Sequence, residues 1–137
     1  VFSEIIAIWI VTFWKSLGSP KKFNLLEFGA GNGEMMKVII ETLKNFPECF
    51  LNCNFQIHEK SELLKKKQQL SLKSEKIIWI KDINTNNSYP TIFLANEFFD
   101  ALPIKQFFKK KEGWVERFVN FKEEGNAVFI ISPRLDI

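Results

Sequence analysis

The stretch Phe23-Asn-Leu-Leu-Glu-Phe-Gly-Ala-Gly-Asn-Gly-Glu34 decides the fold of this 137-residue chain. An apolar run leads to an acid, Glu27, and glycines then occupy three alternate positions, Gly29, Gly31 and Gly33. An apolar pattern with helical spacing follows directly. This order predicts a buried strand, a tight glycine loop and a helix. In a parallel sheet such a loop brings a ligand against bare backbone.

The composition is ordinary for one globular domain, with 46% hydrophobic and 26% charged residues. The net charge of +3 is too small to indicate a nucleic-acid partner. The apolar segment 5–14 is shorter than the ~20 residues that a membrane-spanning helix needs, so we expect a buried helix and no membrane span. Two cysteines and one histidine are too few to supply four ligands to a structural zinc ion, so we expect no metal.

Helices and strands alternate over the first two thirds of the chain. Helices are predicted at 2–14, 34–46 and 61–72, and strands at 23–28, 54–58, 77–80 and 91–95. This alternation predicts an α/β fold with a mostly parallel sheet flanked by helices. The later segments 104–108, 114–121 and 127–131 carry hairpin signals and predict an antiparallel C-terminal portion.

We divide the chain into an N-terminal helix (1–22), an α/β core (23–103) and antiparallel strands (104–137). Right-handed crossovers place the loops that follow parallel strands at one edge of the sheet, where ligands bind. The loops after the first four strands begin at Gly29, Glu59, Asp82 and Asn96. The sequence therefore predicts a binding site at this edge.

The spacing of the glycines argues against a dinucleotide-binding site. The dinucleotide fingerprint is G-x-G-x-x-G, and its third glycine would fall on Glu34. An acid in the first turn of the helix also repels a pyrophosphate bound there. S-adenosylmethionine carries a positive sulfonium and no phosphate, so the carboxylate of Glu27 suits it better. A tight turn without any ligand stays open as the alternative.

Acids follow the second and third strands. Glu59 is placed to accept hydrogen bonds from two ribose hydroxyls, although it equally suits the start of a helix, where an acid favours the dipole. Asp82 is a candidate acceptor for an adenine amino group, and its alternative is a local turn.

The most unusual segment is Asn96-Glu-Phe-Phe-Asp-Ala-Leu-Pro103, after the fourth strand. If it forms a helical turn, Glu97 and Asp100 share one face, because they are three residues apart. Acids beside aromatic rings suit a cationic substrate. The alternative is an amphipathic turn whose acids are only solvated.

Several stretches together resemble one family. They are Glu27-Phe-Gly-Ala-Gly-Asn-Gly33, Glu59-Lys-Ser61 with Gln68 further on, Lys81-Asp82-Ile83 and, most specifically, Asn96–Pro103. The chain resembles, over essentially its whole length, the MidA family of class I S-adenosylmethionine-dependent methyltransferases, also called the NADH:ubiquinone oxidoreductase complex assembly factor 7 family. The resemblance implies a Rossmann-like class I methyltransferase fold in incomplete form, since members of the family are several hundred residues long.

The resemblance also implies the cofactor, S-adenosyl-L-methionine, and its site. The cofactor-binding residues by resemblance are Glu27, Gly29, Gly31, Gly33, Glu59, Asp82 and Asn96. Glu97 and Asp100 are the implied catalytic residues at the methyl-transfer end. The family's glycine loop usually reads Gly-Pro-Gly-Arg-Gly-Thr, and here Ala30, Asn32 and Glu34 replace Pro, Arg and Thr.

The function implied is methylation of a protein arginine on a respiratory complex I subunit during assembly. The implied compartment is the cytoplasm of a bacterium or the mitochondrial matrix of a eukaryote. A non-catalytic assembly factor or scaffold that binds the cofactor is the alternative. A nucleotide-dependent oxidoreductase is disfavoured by the glycine spacing. The basic run 109–111 is interpreted as a solvated hairpin tip, and the sequence does not indicate an oligomeric state.

Overall fold

The computed structural model describes residues 1–73, 75–82, 88–122 and 125–131 of the chain. Its helices are α1 (Phe2–Ser16), α2 (Glu34–Leu43), α3 (Pro47–Asn52) and α4 (Glu62–Ser71). Its strands are β1 (Phe23–Phe28), β2 (Cys53–His58), β3 (Ile77–Ile80), β4 (Thr91–Leu94), β5 (Gln106–Lys110), β6 (Gly113–Phe121) and β7 (Ala127–Ile131). A single 3₁₀ turn, Phe99–Ala101, follows β4.

The predicted α/β fold class is confirmed, and most elements lie within three residues of their predicted bounds. One helix is absent from the prediction: the sequence pattern ends a helix at residue 46 and indicates none at 47–52, whereas Pro47 begins α3. Proline suits the first turn of a helix because its missing N–H would have no partner there. The preceding helix, α2, ends earlier than expected, at Leu43.

The first sheet has the strand order β3-β2-β1-β4, and all its neighbouring strands are parallel. The chain runs outward from β1 to β3 and then returns to the other side of β1. The point between β1 and β4 is therefore a topological switch, the position at which open α/β sheets bind ligands. The carboxyl ends of the strands, at Phe28, His58, Ile80 and Leu94, meet at one edge, as the sequence predicts.

The hydrophobic core lies on one face of this sheet. Alternate strand residues of β1, β2 and β4 pack there with the buried faces of α1 and α2. They are Phe23, Leu25, Phe55, Ile57 and Ile92, all nearly inaccessible to solvent. The helical residues have the spacing of an amphipathic stripe, with Met36, Ile39, Ile40 and Leu43 buried along α2.

The chain forms two compact units, Val1–Phe99 and Asp100–Ile137. The parallel sheet belongs to the first unit. Within the second unit β5, β6 and β7 form the predicted antiparallel sheet, and the guanidinium of Arg117 lies 5.2 Å from the ring centres of both Phe108 and Phe129. The sequence-based division at 22/23 and 103/104 stays a prediction.

Among the described residues, none of the helices has both the length and the apolar content required to cross a membrane.

Candidate functional site

The glycine loop leaves β1 with its backbone in the left-handed region. The φ angles of Gly29, Gly31 and Gly33 are 60°, 55° and 85°. Residues that have a side chain rarely adopt such φ angles, so glycine suits all three positions. The N–H of Gly29 donates to the carbonyl of His58 at 3.0 Å, which ties the loop to the end of β2.

The segment after β4 packs directly on this loop. A Cβ at Gly29 would lie 2.6 Å from Cδ2 of Phe98, so only glycine leaves space for that ring. The Phe98 ring also contacts Phe28 at the end of β1, with ring centres 5.5 Å apart. This contact brings part of the predicted 96–103 segment beside the glycine loop, although nearly 70 residues separate them in sequence.

Gly31 and Gly33 have different surroundings. A Cβ at Gly33 would lie 3.0 Å from Cδ1 of Leu72 and 3.6 Å from Cγ of Gln68. A Cβ at Gly31 would meet no described atom within 4 Å. The backbone at Gly31 is thus open on the side where a side chain would otherwise project, which leaves room for a ligand.

Glu27 lies in β1, just before the loop, and only 3% of it is exposed. Its Oε2 atom has no hydrogen-bond partner among the described residues. Burial raises the pKa of the Glu27 carboxyl from 4.5 to about 7, because a charge is poorly solvated there. A buried acceptor without a partner is unusual, and a cationic or hydrogen-bonding ligand would satisfy it.

Glu59 is held from two sides. Its Oε1 accepts from the backbone N–H of Ser61 at 2.9 Å, and its Oε2 accepts from Nε2 of Gln68 at 3.2 Å. Ser61 also caps α4, since its hydroxyl oxygen accepts from the N–H of Leu64. Ser61 is therefore the N-cap of the helix that the sequence predicts at 61–72, and Glu59 contributes to the same helix start.

The remaining cofactor candidates follow the outer strands of the sheet. Asp82 lies two residues after β3, and Asn96 lies two residues after β4. Both side chains are exposed. They are at the predicted edge, and their contacts with a cofactor stay predictions.

The two acids expected at the methyl-transfer end do not share a helical turn. Asp100 lies inside the 3₁₀ turn, whereas Glu97 precedes it with a left-handed φ of 48°. The shared-face argument based on helical spacing therefore does not apply to Glu97. Both acids are exposed, and Glu97 belongs to the first compact unit while Asp100 begins the second.

Gln68 belongs to the stretches that carry the family resemblance, and its place in the site is one that the sequence motifs do not predict. It is fully buried on α4 and bonds to groups on the glycine loop, on β3 and at Glu59. One signal was available in the sequence, because residues 64, 68 and 72 follow a four-residue spacing that puts Gln68 between two leucines on one helical face. A glutamine on such a stripe is expected to be buried and hydrogen-bonded.

The described residues contain no group of three His, Cys, Asp or Glu side chains suited to a metal ion. Both cysteines are free thiols, and burial raises the pKa values of Cys49 and Cys53, that of Cys49 to about 11. These thiols are therefore protonated near neutral pH, which makes them poor nucleophiles and poor metal ligands.

The residues at the edge fit an adenosine-containing cofactor with a positive charge. The open backbone at Gly31 provides a place for close approach, and the unpartnered oxygen of Glu27 provides an acceptor. Glu34, in the first turn of α2, disfavours a phosphate at that helix start.

Comparison with known proteins gives a consistent set of matches. A family model described as an S-adenosyl-L-methionine-dependent methyltransferase matches residues 5–136. The human mitochondrial protein arginine methyltransferase NDUFAF7 is 28% identical, in an alignment that covers 97% of this chain and 36% of the human protein. The Caenorhabditis elegans homologue, also named as mitochondrial, is 28% identical over 96% of this chain and 35% of its own length. This chain thus spans about a third of these relatives.

The fold also matches solved structures. A crystal structure of a Burkholderia thailandensis protein bound to S-adenosyl-homocysteine superposes with a TM-score of 0.73. The two sequences are 22% identical, and the match covers 96% of this chain and 34% of the other. A second, native crystal structure from the same species gives a TM-score of 0.74 at 22% identity, over 98% of this chain and 36% of the other.

Proposed function

Because this chain belongs to the family of S-adenosyl-L-methionine-dependent methyltransferases, we propose that it takes part in transferring the cofactor's methyl group to an arginine side chain of a protein. Family membership confirms the resemblance noted in the sequence. The arginine target is supported by the names of relatives at about 28% identity. The observation that carries the proposal is the buried Oε2 of Glu27, which has no hydrogen-bond partner among the described residues, four residues before the open backbone of Gly31.

We assign the cofactor-binding roles by position at the sheet edge. Glu27 accepts a hydrogen bond from the positively charged amino-acid portion, and the three glycines allow close approach of the backbone. Glu59 accepts from the ribose hydroxyls, Asp82 from the adenine amino group, and Asn96 lines the site from the end of β4. All of these residues belong to the first compact unit.

The bound cofactor supplies an electrophilic methyl group on a sulfonium. The protein must then hold the acceptor nitrogen in line with the sulfur–methyl bond, so positioning is its main catalytic task. A guanidinium stays charged near neutral pH. A carboxylate would orient it, stabilise its charge and accept the proton that the nitrogen releases when it bonds the methyl group and the sulfur–methyl bond breaks. Glu97 and Asp100 are the proposed carboxylates.

A subunit of respiratory complex I is the proposed methyl acceptor, during assembly of that complex. The support is the resemblance to the complex I assembly factor family and the relatives' mitochondrial names. By the same reasoning the compartment is the mitochondrial matrix in a eukaryote and the cytoplasm in a bacterium.

A non-catalytic assembly factor that binds the cofactor is the second candidate. It is favoured by one observation: the cofactor candidates all lie in the first unit, whereas one of the two catalytic candidates, Asp100, lies in the second. A scaffold needs only the first set of residues.

The Asp100→Ala variant separates these two functions. We expect its affinity for S-adenosyl-L-methionine, measured by calorimetry, to stay within about twofold. We expect transfer of labelled methyl groups to complex I subunits to fall by about 100-fold or more, because the substrate guanidinium loses its partner. Glu112→Ala is the matched control, since Glu112 is another exposed acid of the second unit, at the β5–β6 turn.

Undiminished methyl transfer by Asp100→Ala would contradict the catalytic assignment. Cofactor binding by the unaltered protein without methyl transfer to any subunit would favour the scaffold. Absence of cofactor binding would contradict both candidates.

A further inference from the structure

Helix α4 presents one buried polar side chain to the glycine loop. Gln68 is 0% exposed, and Leu72, one turn later, is 1% exposed. Both lie close to where a Cβ at Gly33 would be, so the helix packs directly against the end of the loop. A side-chain amide at such a depth needs hydrogen-bond partners for both its nitrogen and its oxygen.

Three hydrogen bonds satisfy this amide. Its Nε2 donates to the carbonyl oxygen of Gly31 at 2.9 Å and to Oε2 of Glu59 at 3.2 Å. Its Oε1 accepts from the indole N–H of Trp79, on β3, at 2.9 Å.

These partners also determine how the amide is oriented. An indole N–H only donates, while a backbone carbonyl and an ionised carboxylate only accept. Turning the amide over would place its NH₂ against the N–H of Trp79 and its oxygen against two acceptors. One amide orientation is therefore strongly preferred, and Trp79 enforces it.

The amide connects two parts of the proposed cofactor site. Gly31 lies where the backbone is open to a ligand, and Glu59 is the proposed acceptor for the ribose hydroxyls. The backbone N–H of Ser61 occupies one lone pair on Oε1 of Glu59, and Gln68 occupies one on Oε2. A carboxylate offers about four such positions, so each oxygen keeps one for a ligand hydroxyl.

We propose that Gln68 is a positioning residue that fixes the Glu59 carboxylate relative to the Gly31 backbone, so that the ribose-binding acceptors are already oriented before the cofactor binds. This rests on the proposed function, because it takes Glu59 as the ribose acceptor. Preorganisation increases affinity since the carboxylate loses no further freedom when the ligand arrives. If Gln68 only filled the core, its substitution would instead change the affinity for every ligand of the site by the same factor.

The test compares two ligands on three variants of the full chain. The ligands are S-adenosyl-L-homocysteine and its 2′,3′-dideoxy analogue, which lacks both ribose hydroxyls. The variants are Gln68→Met, which keeps the length of the side chain without its polar atoms, Trp79→Phe, which removes the donor that orients the amide, and Gln69→Met. Gln69 is an exposed neighbour on the same helix and is the matched control.

We expect the unaltered protein to bind S-adenosyl-L-homocysteine at least about tenfold more tightly than the analogue, since lost hydrogen bonds to a carboxylate have effects of this size. Gln68→Met should lose about tenfold in affinity for the natural ligand and less than about twofold for the analogue. Trp79→Phe should show the same selectivity with a smaller loss, and Gln69→Met should show no change. Circular dichroism establishes that each variant is folded, and Trp79→Phe provides the test if Gln68→Met does not fold.

Equal losses for both ligands would overturn the proposal and leave Gln68 as a packing residue. Unchanged binding by Gln68→Met would also overturn it. Equal binding of the two ligands by the unaltered protein would remove the ribose role of Glu59, and with it this proposal, while the proposed methyltransferase function stands. Only if that protein binds neither ligand does the proposed function fail as well.

Discussion

At the scale of single residues, the buried carboxyl of Glu27 is the group that most directly indicates a functional site. It lies in β1, one of the two inner strands of the parallel sheet, and is 3% exposed. Its Oε2 has no hydrogen-bond partner among the described residues. Burial alone raises its pKa to about 7. A buried polar group without a partner lowers the stability of the ligand-free protein, and carboxyl groups with shifted pKa values are concentrated at functional sites.

The raised pKa makes folding stability depend on pH in a definite direction. Below pH 4.5 the Glu27 carboxyl is protonated in the folded and the unfolded chain alike. Between pH 4.5 and 7 it ionises only in the unfolded chain, so the free energy of unfolding falls as the pH rises. The total fall attributable to Glu27 is roughly 3 kcal/mol.

Glu27→Gln removes this dependence. We would measure urea unfolding of both proteins without cofactor at pH 4.5, 6 and 8. The free energy of unfolding of the variant minus that of the unaltered protein should rise by roughly 3 kcal/mol from pH 4.5 to pH 8. Other carboxyl groups contribute equally to both proteins and cancel in the difference. Parallel pH profiles would show that the folded-state pKa of Glu27 is not raised.

At the scale of elements, the glycine loop and the segment after β4 pack closely against each other. Gly29 leaves the space that the ring of Phe98 occupies, whereas the corresponding space at Gly31 is open among the described residues. Both glycines have a left-handed φ angle, and they differ in the atoms that lie next to them. We infer that Gly29, besides its place in the proposed binding loop, is needed for the packing of Phe98, whereas the open space at Gly31 is left to the cofactor.

Alanine substitution separates these two roles. Gly31→Ala should lower the free energy of unfolding by about 1 to 2 kcal/mol, the cost of a left-handed backbone for alanine. It should also weaken binding of S-adenosyl-L-homocysteine. Gly29→Ala should lower stability by roughly a further 1 to 3 kcal/mol, because the Phe98 ring must move.

A double-mutant cycle supplies the control. Gly29→Ala combined with Phe98→Ala should recover the steric part of the loss, whereas Gly31→Ala combined with Phe98→Ala should be additive. Equal losses for Gly29→Ala and Gly31→Ala would contradict the packing role of Gly29. Thermal or denaturant unfolding of the five variants measures all of these terms.

At the scale of the whole molecule, the parallel sheet buries its two faces unequally. The core cluster takes residues such as Ile57 from the face that packs on the helices. On the other face the outer strands leave Ile78 55% exposed and Phe93 56% exposed. The central strand is nevertheless buried on both faces, since Leu26 is 1% exposed.

Two isoleucines in adjacent strands test this difference. Ile57→Ala should lower the free energy of unfolding by about 2 to 5 kcal/mol, as is usual when a core side chain is removed. Ile78→Ala should lower it by less than about 1 kcal/mol, because its side chain is already half exposed. Urea unfolding of both variants gives the comparison, and losses of similar size would mean that the second face is covered as well.

The sequence by itself determined most of the elements and the edge of the sheet at which the proposed site lies. Apolar runs, the three glycines and the Ser61 cap act through local chemistry, and strand β1 has its predicted bounds. The order of strands and right-handed crossovers then bring the loops together. The main local error, helix α3, arose because Pro47 is equally compatible with ending one helix and beginning another.

Only the tertiary structure decided how the side chains at that edge are held. The contact of Gly29 with Phe98 and the bonds of Gln68 to Gly31, Glu59 and Trp79 join residues that are distant in sequence. The raised pKa of Glu27 is also a property of burial and cannot be deduced from residue type. The physical reason is that these interactions depend on side-chain positions to within an ångström, which strand register and helix packing determine.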